Sequence, residues 1–321
     1  MLELYWGDLT KLYFHNQVGC EIGARPIDLH LKGLRKLNVS IEEEAGFVKC
    51  ISNKIIGSEI ELDFPSVGAT ENIMLASVLC EGETIIKNAA REPEIIDLQN
   101  FLNSMGAQVS GSGTNVIRIK GVLELKNTSY SVMPDRIEAG TLLCAGAITG
   151  GNITITNTVA EHISPIIDKL RESGCEITIE TNLINLVAPK KLKHVENIKT
   201  MPYPGFPTDM QPLMAVILSV AQGTSIIIEN IFENRYKYVN ELIRMGAKIK
   251  IEGRTAIITG VNDLSGTQVT ATDLRGGAAL MIAGLKANYE TRLTDVHHIC
   301  RGYEYLEQKL NSIGANITRE G

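Results

Sequence analysis

Apolar and polar positions along this chain alternate between helical and strand-like spacing. Ile73, Met74 and Val78 lie on one face of a predicted helix that ends at a glycine. A β-branched run begins at Thr84, and a second stretch of helical spacing ends at Gly106. Because glycine commonly ends helices and β-branched residues favour strands, this region is predicted to fold as helix, strand and helix.

The same order of elements recurs three more times toward the C-terminus. The closing glycines of the four copies are 68, 72 and 68 residues apart, at Gly106, Gly174, Gly246 and Gly314. After the glycine a pair of strands is predicted, for example from Lys248 around a turn at Gly253. Each copy is therefore a helix–strand–helix–strand–strand unit of about 70 residues, and the tail of one further copy ends at Asn38.

A period of this length exceeds that of a solenoid repeat, so each copy is expected to be a building block of an α/β domain. A chance succession of helices, strands and glycines is the alternative, and the order kept in four copies argues against it. The chain has 321 residues, of which 44% are hydrophobic, and this length favours two domains. We place the boundary after residues 127–131, which gives domains of residues 1–131 and 132–321. Residues 188–200 are the alternative boundary.

The charge pattern restricts the class of partner. The net charge is −6 and the sequence contains no run rich in lysine and arginine, which argues against nucleic acid as a partner. No apolar stretch is long enough to span a membrane, and the N-terminus lacks a signal pattern, so a cytoplasmic protein is expected. A few convergent arginines could still bind a small anion within an acidic protein.

Cysteine and histidine spacing gives no sign of a metal or redox site. None of the six cysteines forms a C-x-x-C pair, and His297 and His298 have no third ligand at a suitable spacing, so no metal is predicted. Cys20 differs from the other cysteines because glycines flank it in a segment with few apolar residues, and Arg25 follows. Such a thiol can have a lowered pKa and be reactive, but an idle loop cysteine remains the alternative.

The starts of the copies carry hydroxyls and carboxylates at predicted helix N-termini. These residues include Ser66, Asp209 and Asp273. Ordinary N-capping explains most of them, although helix N-termini also bind anions. Asp209 and Arg275 exceed what capping requires, so a functional role is favoured for both. Five arginines near copy junctions could converge on an anion or form surface ion pairs, and they are Arg91, Arg136, Arg235, Arg275 and Arg301.

Eight segments of this sequence closely resemble the UDP-N-acetylglucosamine 1-carboxyvinyltransferase family of enolpyruvyl transferases. They are residues 19–30, 65–74, 90–98, 134–141, 204–211, 232–235, 271–275 and 301–304. The resemblance implies an α/β fold, a two-domain inside-out α/β barrel of repeated βαβαββ units with the active site between the domains. In this chain the first unit is expected to be incomplete.

The resemblance also implies an activity. Members of the family transfer the enolpyruvyl group of phosphoenolpyruvate to the 3′-hydroxyl of UDP-N-acetylglucosamine through a tetrahedral ketal that then loses phosphate. This reaction begins peptidoglycan synthesis, and the family is the target of fosfomycin. No cofactor is implied, and the implied partners are the two small-molecule substrates. We expect a monomer, with self-association through exposed sheet edges as the alternative.

Site residues carry over from the matching motifs. Cys20 corresponds to the general acid that fosfomycin alkylates, and Asp209 corresponds to the carboxylate that takes the proton from the sugar hydroxyl. The resemblance implies that phosphoenolpyruvate is bound by Arg25, Arg275 and Arg301. It implies that UDP-N-acetylglucosamine is bound by Arg25, Pro26, Asp28, Leu29, His30, Ser66, Val67, Gly68, Asp209 and Arg235.

The N-terminal region departs from the family pattern. A Lys-Asn pair and an arginine that contact substrate in the family have no counterpart before Cys20, and the usual Pro-Gly-Gly reads Gln17-Val18-Gly19. The alternative hypothesis is therefore a catalytically impaired protein that still binds the nucleotide sugar. The sister enzyme that acts on shikimate 3-phosphate is a third hypothesis, which the cysteine segment and the uridine-side motifs disfavour.

Overall fold

The structure is a computed structural model, and it describes residues 11–15, 27–44 and 47–320. The described residues fall into two compact units. Unit 1 contains the described residues through Met133 together with Pro202–Pro204, and unit 2 contains Pro134–Met201 and the described residues from Gly205 onward. Three residues of the predicted site, Cys20, Arg25 and Pro26, lie outside the described residues.

Unit 1 alternates helices with short strands. Its strands are β1 (Lys11–His15), β2 (Ser40–Glu44), β3 (Phe47–Ile51), β4 (Glu59–Glu61), β5 (Glu83–Lys87), β6 (Gln108–Ser110) and β7 (Val116–Lys120), and its helices are α1 (Asp28–Lys36), α2 (Val67–Ser77) and α3 (Pro93–Ser104). One sheet has the order β1-β3-β2 and is antiparallel, and the other has the order β4-β5-β7-β6.

Unit 2 repeats this construction. Its strands are β8 (Asn152–Thr156), β9 (Glu176–Glu180), β10 (Leu183–Val187), β11 (Asn197–Lys199), β12 (Thr224–Ile228), β13 (Lys248–Glu252), β14 (Thr255–Thr259), β15 (Gln268–Thr270) and β16 (Arg292–Thr294). Its helices are α4 (Arg136–Thr149), α5 (Ser164–Glu172), α6 (Gln211–Ser219), α7 (Val239–Arg244), α8 (Leu274–Gly284), α9 (His297–Cys300) and α10 (Leu306–Ser312). Its sheets are β8-β10-β9, β11-β12-β14-β13 and the parallel pair β15-β16.

The two four-stranded sheets show that the sequence copies are structural copies. In each sheet the first two strands are parallel and the other neighbours are antiparallel. The predicted α/β fold of repeated units is therefore confirmed. The residues did not predict the strand that opens each unit, such as β4, because a strand of three residues is too short to show a periodic pattern.

The backbone conformation explains why glycine or asparagine is the closing residue of each copy. Gly106, Gly174, Gly246 and Gly314 have φ values between 95° and 105°, and Asn38 has a φ of 66°. At Gly106 the next backbone N–H, that of Ala107, donates to the Leu102 carbonyl at 3.1 Å and so closes the end of α3. This left-handed conformation suits glycine and, next best, asparagine, which explains why these residues recur at the same point of the unit.

In unit 2 the helices α4, α6 and α8 form the interior, and the strands have one face toward solvent. All nine residues of α6 are buried, and α6 packs against α4 and α8. The strands instead bury alternate residues, as in β14, where Ala256 and Ile258 are buried and Thr259 is exposed. A helix that is apolar all round belongs in a core, whereas a strand with one polar face belongs at the surface. No helix in the described part of the chain has both the length and the apolar character of a membrane span.

Candidate active site

The carboxylate of Asp209 lies between two arginine side chains in unit 2. Asp209 belongs to the 3-10 turn Thr208–Met210, which leads directly into α6. Its Oδ1 accepts a hydrogen bond of 2.8 Å from Nη2 of Arg235, and its Oδ2 accepts one of 3.1 Å from Nε of Arg275. The Asp209 side chain is 38% exposed, so a ligand can reach it.

Two opposing effects set the pKa of Asp209. Burial raises the pKa, because a carboxylate is poorly solvated inside a protein. The positive charges of Arg275 and Arg235 lower it, as does the hydrogen bond from Arg275, and the charge of Arg136 adds to them. The net result is a pKa below the ordinary value for aspartate, so Asp209 is ionised at neutral pH in this arrangement.

Arg235 is buried and holds groups of the protein itself. Its side chain is 1% exposed. Nε and Nη2 donate to the backbone carbonyl of Thr208 at 3.3 and 3.1 Å, and Nη1 lies 3.8 Å from Oδ1 of Asp273. Buried charges are tolerated only when they are paired and hydrogen-bonded, and these contacts meet that condition. Arg235 therefore fixes both the turn and the carboxylate of Asp209.

Asp273 caps the N-terminus of α8. Its Oδ1 accepts hydrogen bonds of 3.0 Å from the backbone N–H groups of Arg275 and Gly276, and its side chain is 1% exposed. A Cβ at Gly276 would lie 2.6 Å from Oδ2 of Asp273, so only glycine leaves room for this cap. The cap places Arg275 in the first turn of α8, from which its side chain reaches Asp209.

The guanidinium of Arg275 has one donor that no group of the described residues uses. Its side chain is 11% exposed, and Nη1 is buried without a hydrogen-bond partner among residues 11–15, 27–44 and 47–320. Its Cζ lies 5.1 Å from the centre of the Tyr303 ring, at a distance suited to a cation–π contact. The Tyr303 hydroxyl forms a hydrogen bond of 2.8 Å with the hydroxyl of Thr141. Arg275 is thus held between a carboxylate and an aromatic ring, and its Nη1 stays unpaired within the described ranges.

Sequence reasoning missed Tyr303 and Glu229. Tyr303 follows Arg301 in a segment whose arginine alone was assigned a role. Glu229 is fully buried, and its carboxylate accepts hydrogen bonds from the hydroxyls of Thr200 and Thr208 at 2.9 and 3.0 Å. It thereby fixes the turn that carries Asp209. A charged residue directly after the apolar strand β12 was the signal that could have identified Glu229.

Arg301 lies in the same unit but outside this ion-pair network. It follows α9 directly and is exposed. Among the described residues, no hydrogen bond or ion pair joins Arg301 to Asp209 or Arg275. Its assignment to phosphoenolpyruvate stays a prediction.

In unit 1 the structure brings together the starts of two helices that carry predicted site residues. Asp28, Leu29 and His30 form the first turn of α1, and Val67 and Gly68 begin α2 behind its N-cap Ser66, whose hydroxyl accepts from the Ala69 N–H at 3.3 Å. The helices α1 and α2 pack against each other.

His30 marks the point where these two helix starts meet. A Cβ at Gly68 would lie 3.2 Å from Cε1 of His30, so Gly68 allows the imidazole to come close to the start of α2. Nδ1 of His30 lies 2.6 Å from Nδ2 of Asn72. Burial lowers the pKa of His30, so the imidazole is neutral at pH 7. The side-chain amide of Asn72 is a donor, so Nδ1 accepts and the ring proton lies on Nε2.

Unit 1 also contains a carboxylate cluster that sequence reasoning missed. The pKa of Glu71 is raised from 4.5 to about 7, mainly by burial and in addition by the negative charges of Glu94 and Glu92. Oε1 of Glu92 accepts a hydrogen bond of 3.3 Å from the backbone N–H of Tyr203. The residues 90–98 were recognised as a family motif, but the motif gave no role for its glutamates.

Five cysteines fall within the described residues. Cys50, Cys80, Cys144 and Cys175 are buried, and Cys300 is exposed. Burial raises the pKa of Cys144 and Cys175, which makes these thiols poor nucleophiles. In the described part of the chain, no group of three or more His, Cys, Asp or Glu side chains could hold a metal ion. The roles of Cys20, Arg25 and Pro26 stay predictions, since these residues lie outside the described ranges.

Comparison with known proteins identifies curated relatives of high identity. Two UDP-N-acetylglucosamine 1-carboxyvinyltransferases of Caldanaerobacter subterraneus subsp. tengcongensis are 57% and 56% identical to this chain, and each match covers 94% of the chain and 72% of the relative. An enzyme of the same name from Carboxydothermus hydrogenoformans is 53% identical over 99% of the chain and 76% of its own length.

A family profile and solved structures agree with these relatives. The profile described as EPSP synthase (3-phosphoshikimate 1-carboxyvinyltransferase) matches residues 12–310. The enolpyruvyl transferase NikO from Streptomyces tendae is 24% identical, with a TM-score of 0.84 over 96% of this chain and 73% of that one. EPSP synthase from Acinetobacter baumannii is 19% identical, with a TM-score of 0.71 over 93% and 73%. These two structures show the same fold.

The predicted resemblance is confirmed, because identity above one half extends over nearly the whole chain. The chain belongs to the UDP-N-acetylglucosamine 1-carboxyvinyltransferase family of enolpyruvyl transferases.

Proposed function

We propose that this protein transfers the enolpyruvyl group of phosphoenolpyruvate to the 3′-hydroxyl of UDP-N-acetylglucosamine with release of phosphate. This reaction is the first committed step of peptidoglycan synthesis. The observation that carries the proposal is the carboxylate of Asp209 between Arg235 and Arg275. The names of the relatives from two bacterial species give UDP-N-acetylglucosamine as the acceptor, and the family resemblance gives phosphoenolpyruvate as the donor.

In unit 2, Asp209 takes the role of general base. The hydroxyl of the sugar gives its proton to Asp209 while its oxygen forms a bond to C2 of phosphoenolpyruvate. Cys20 delivers a proton to the methylene carbon C3, which yields the tetrahedral ketal. Loss of a proton from C3 and cleavage of the C2–O bond to phosphate then restore the double bond and release phosphate.

Arginines hold the anionic co-substrate. Nη1 of Arg275, which has no partner in the described part of the chain, is a charged donor suited to a carboxylate or phosphate oxygen. Arg301 and Arg25 are the further cations of this set. Fixed positive groups stabilise the negative charge that develops during addition and elimination, without reorganisation of solvent. Arg235, predicted to contact UDP-N-acetylglucosamine, has its donors on protein groups, and we propose that it acts through Asp209.

In unit 1, the starts of α1 and α2 bind the nucleotide sugar. Backbone N–H groups at a helix N-terminus attract anions, so Ser66, Val67 and Gly68 suit the diphosphate. The segment Asp28–His30, together with Arg25 and Pro26, suits the uracil and ribose. The neutral His30, with its proton on Nε2, offers a donor at this surface.

Further properties follow from membership of this family and are proposed with it. The protein acts in the cytoplasm as a monomer, without a cofactor. Cys20 is the residue that fosfomycin alkylates. The two units are two domains, with the boundary near residues 131 and 132.

The test is phosphate release from phosphoenolpyruvate in the presence of UDP-N-acetylglucosamine. Release is expected with the unmodified chain, and it should fall about 100-fold or more in Cys20→Ala and in Asp209→Ala, because each loses a proton-transfer group. Cys300→Ala and Asp168→Ala are matched controls, since both residues are exposed and lie outside the site. If no phosphate is released while UDP-N-acetylglucosamine still raises the melting temperature, the chain binds the nucleotide sugar without catalysis, and the proposal fails.

A further inference from the structure

The two oxygens of Asp209 are held by arginines of different character. Oδ1 is bound by Arg235, which is 1% exposed and also donates to the Thr208 carbonyl. Oδ2 is bound only by Nε of Arg275 among the described residues, and Arg275 is the more exposed of the two arginines at 11%. One oxygen is therefore fixed by a buried cation, and the other is covered by a cation near the surface.

One nitrogen of the Arg275 guanidinium is placed to bind an anion. Nη1 of Arg275 is buried and has no hydrogen-bond partner in the part of the chain that the structure describes, which is rare for a charged donor in a folded protein. Its Nε is engaged by Asp209, and the face of its guanidinium lies near the Tyr303 ring. A ligand oxygen that bound Nη1 would compete with Asp209 for the same cation.

We propose that an anionic group of the co-substrate binds the unpaired edge of Arg275 and draws its guanidinium away from Oδ2 of Asp209, so that the base becomes available only when the anion is bound. The proposal rests on the proposed function for the identity of the co-substrate. Arg235 is then a positioning residue that keeps Oδ1 in place, and Arg275 controls access to Oδ2.

The electrostatics of the site favour such coupling. With both arginines in place Asp209 is a weak base, because they stabilise its ionised form. An anion at Arg275 would neutralise one of them, and Asp209 would bind a proton more readily. Arg235 and Arg136 would remain as cations, and Asp273 and Asp135 are the nearby acids. Coupling between two sites is reciprocal, so protonation of Asp209 should also strengthen anion binding.

The arrangement has a chemical consequence. A carboxylate is too weak a base to deprotonate a sugar hydroxyl by itself, so removal of the proton has to accompany attack of the oxygen on a carbon atom. If Arg275 covers Oδ2 until the co-substrate arrives, proton removal and C–O bond formation occur in the same complex.

The test is a titration of the Asp209 carboxyl by carbon-13 NMR on the full chain, with and without phosphoenolpyruvate. Inorganic phosphate serves as the simpler anion, and the phosphorus resonance of each anion reports its binding in the same sample. Phosphoenolpyruvate is expected to raise the titration midpoint of Asp209 by about one pH unit, the scale of one nearby charge. The Nε–H resonance of Arg275 should at the same time lose its protection from hydrogen exchange.

Two variants of Arg275 and one control sharpen the test. In Arg275→Gln the midpoint should already be raised without anion, and phosphoenolpyruvate should not move it. Arg275→Lys keeps the charge that supports folding but cannot hold two anions with separate nitrogens, so its response to phosphoenolpyruvate should be weaker. Arg292→Gln removes an exposed arginine that pairs with Glu290, and it should titrate as the unmodified chain does.

The outcomes separate this inference from the proposed function. If phosphoenolpyruvate binds and the midpoint of Asp209 does not move, the inference is wrong even where turnover is observed. If neither anion binds, Arg275 is no anion site and the inference is also wrong. If the midpoint moves but no phosphate is released with UDP-N-acetylglucosamine, the coupling stands and the proposed reaction does not.

Discussion

Two similar tripeptides in unit 2 each lie at the start of a helix, but their aspartates have different roles. Thr272-Asp273-Leu274 leads into α8, and its aspartate accepts two backbone N–H groups as the N-cap. Thr208-Asp209-Met210 leads into α6, which has no side-chain cap, and its aspartate instead accepts from two arginine side chains. The 3-10 turn before α6 moves Asp209 away from the helix end. The Asp209 carboxylate therefore does not cap α6 and can instead take part in the chemistry of the site.

The difference shows that a carboxylate at a helix start can support either the fold or the site. Asp273 is 1% exposed and its hydrogen bonds are local, whereas Asp209 is 38% exposed and its hydrogen bonds reach distant residues. A local cap stabilises one helix end. Contacts that span the unit fix a geometry that a substrate can use.

The largest effect on stability is expected at Asp273. Asp273→Ala removes the cap of α8 and leaves the buried Arg235 without one of its two acidic partners. Breaking a buried ion pair from one side costs about 3–5 kcal/mol, and we expect a loss near 3 kcal/mol in the free energy of unfolding. Urea denaturation measures this loss.

Asp209→Ala is the matched variant on the other tripeptide. Its carboxylate is partly exposed, and Arg235 keeps Asp273 as a partner, so the loss of stability should be about 1 kcal/mol. Asp263→Ala, at an exposed position, should change nothing. If Asp209→Ala destabilised the protein as much as Asp273→Ala, the division between support of the fold and support of the site would be refuted.

Much of the fold could be predicted from the residues, because short stretches of sequence determine most elements of each unit. The closing glycines indicate a left-handed backbone conformation at the end of a helix. The helical spacing of apolar residues indicates which face of the helix is buried. The short opening strands such as β11 could not be predicted in this way, since three residues show no period and their pairing depends on a strand more than twenty residues away. Tertiary pairing, rather than local preference, makes them strands.

The candidate site was predictable only in part, for the same reason. The motifs identified Asp209 and Arg275 as residues beyond simple capping. They could not show that the two are hydrogen-bonded, since these residues are 66 positions apart in the chain. Nor could they show that Arg235 is enclosed or that Tyr303 lies beside Arg275. The burial of a side chain and its contacts with distant residues result from tertiary packing, so a single sequence motif cannot show them.

A third carboxylate, that of Glu71 in α2, is expected to contribute to stability with a pH dependence opposite to that of Asp209. Asp209 has a lowered pKa, so it adds stability above the ordinary aspartate pKa and loses it as pH falls through the folded value. Glu71 has a pKa raised from 4.5 to about 7, so the folded state binds its proton more tightly. Its contribution therefore falls as pH rises from about 4.5 to about 7 and then stays low.

Glu71→Gln should remove this loss. At pH 8 the variant is expected to be more stable than the unmodified chain by about 2 kcal/mol, and near pH 4 the two should be equal. The pKa shift of Glu71 corresponds to roughly 3–4 kcal/mol at about 1.4 kcal/mol per pKa unit, and the partial exposure of the side chain reduces this value through solvent screening. The measurement is the free energy of unfolding at several pH values. Glu61→Gln, at an exposed position, is the control and should follow the unmodified chain. Equal stability of Glu71→Gln and the unmodified chain at pH 8 would contradict the burial argument.

The smallest effect concerns Ser66, where one side chain is expected to serve both fold and site. Its hydroxyl caps α2 by accepting from the Ala69 N–H, and it is predicted to bind the diphosphate of the nucleotide sugar. Ser66→Ala should lower the free energy of unfolding by about 1 kcal/mol through loss of the cap. Ser66→Asp should keep the cap and the stability, because aspartate is an equally good N-cap.

The two Ser66 variants separate capping from binding because only the aspartate adds a negative charge where a diphosphate would lie. Ser66→Asp should therefore raise KM for UDP-N-acetylglucosamine about tenfold, since like charges repel, and leave KM for phosphoenolpyruvate unchanged. Steady-state kinetics on both substrates measure this effect. An unchanged KM for UDP-N-acetylglucosamine in Ser66→Asp would mean that Ser66 only caps its helix. The diphosphate would then have to bind elsewhere.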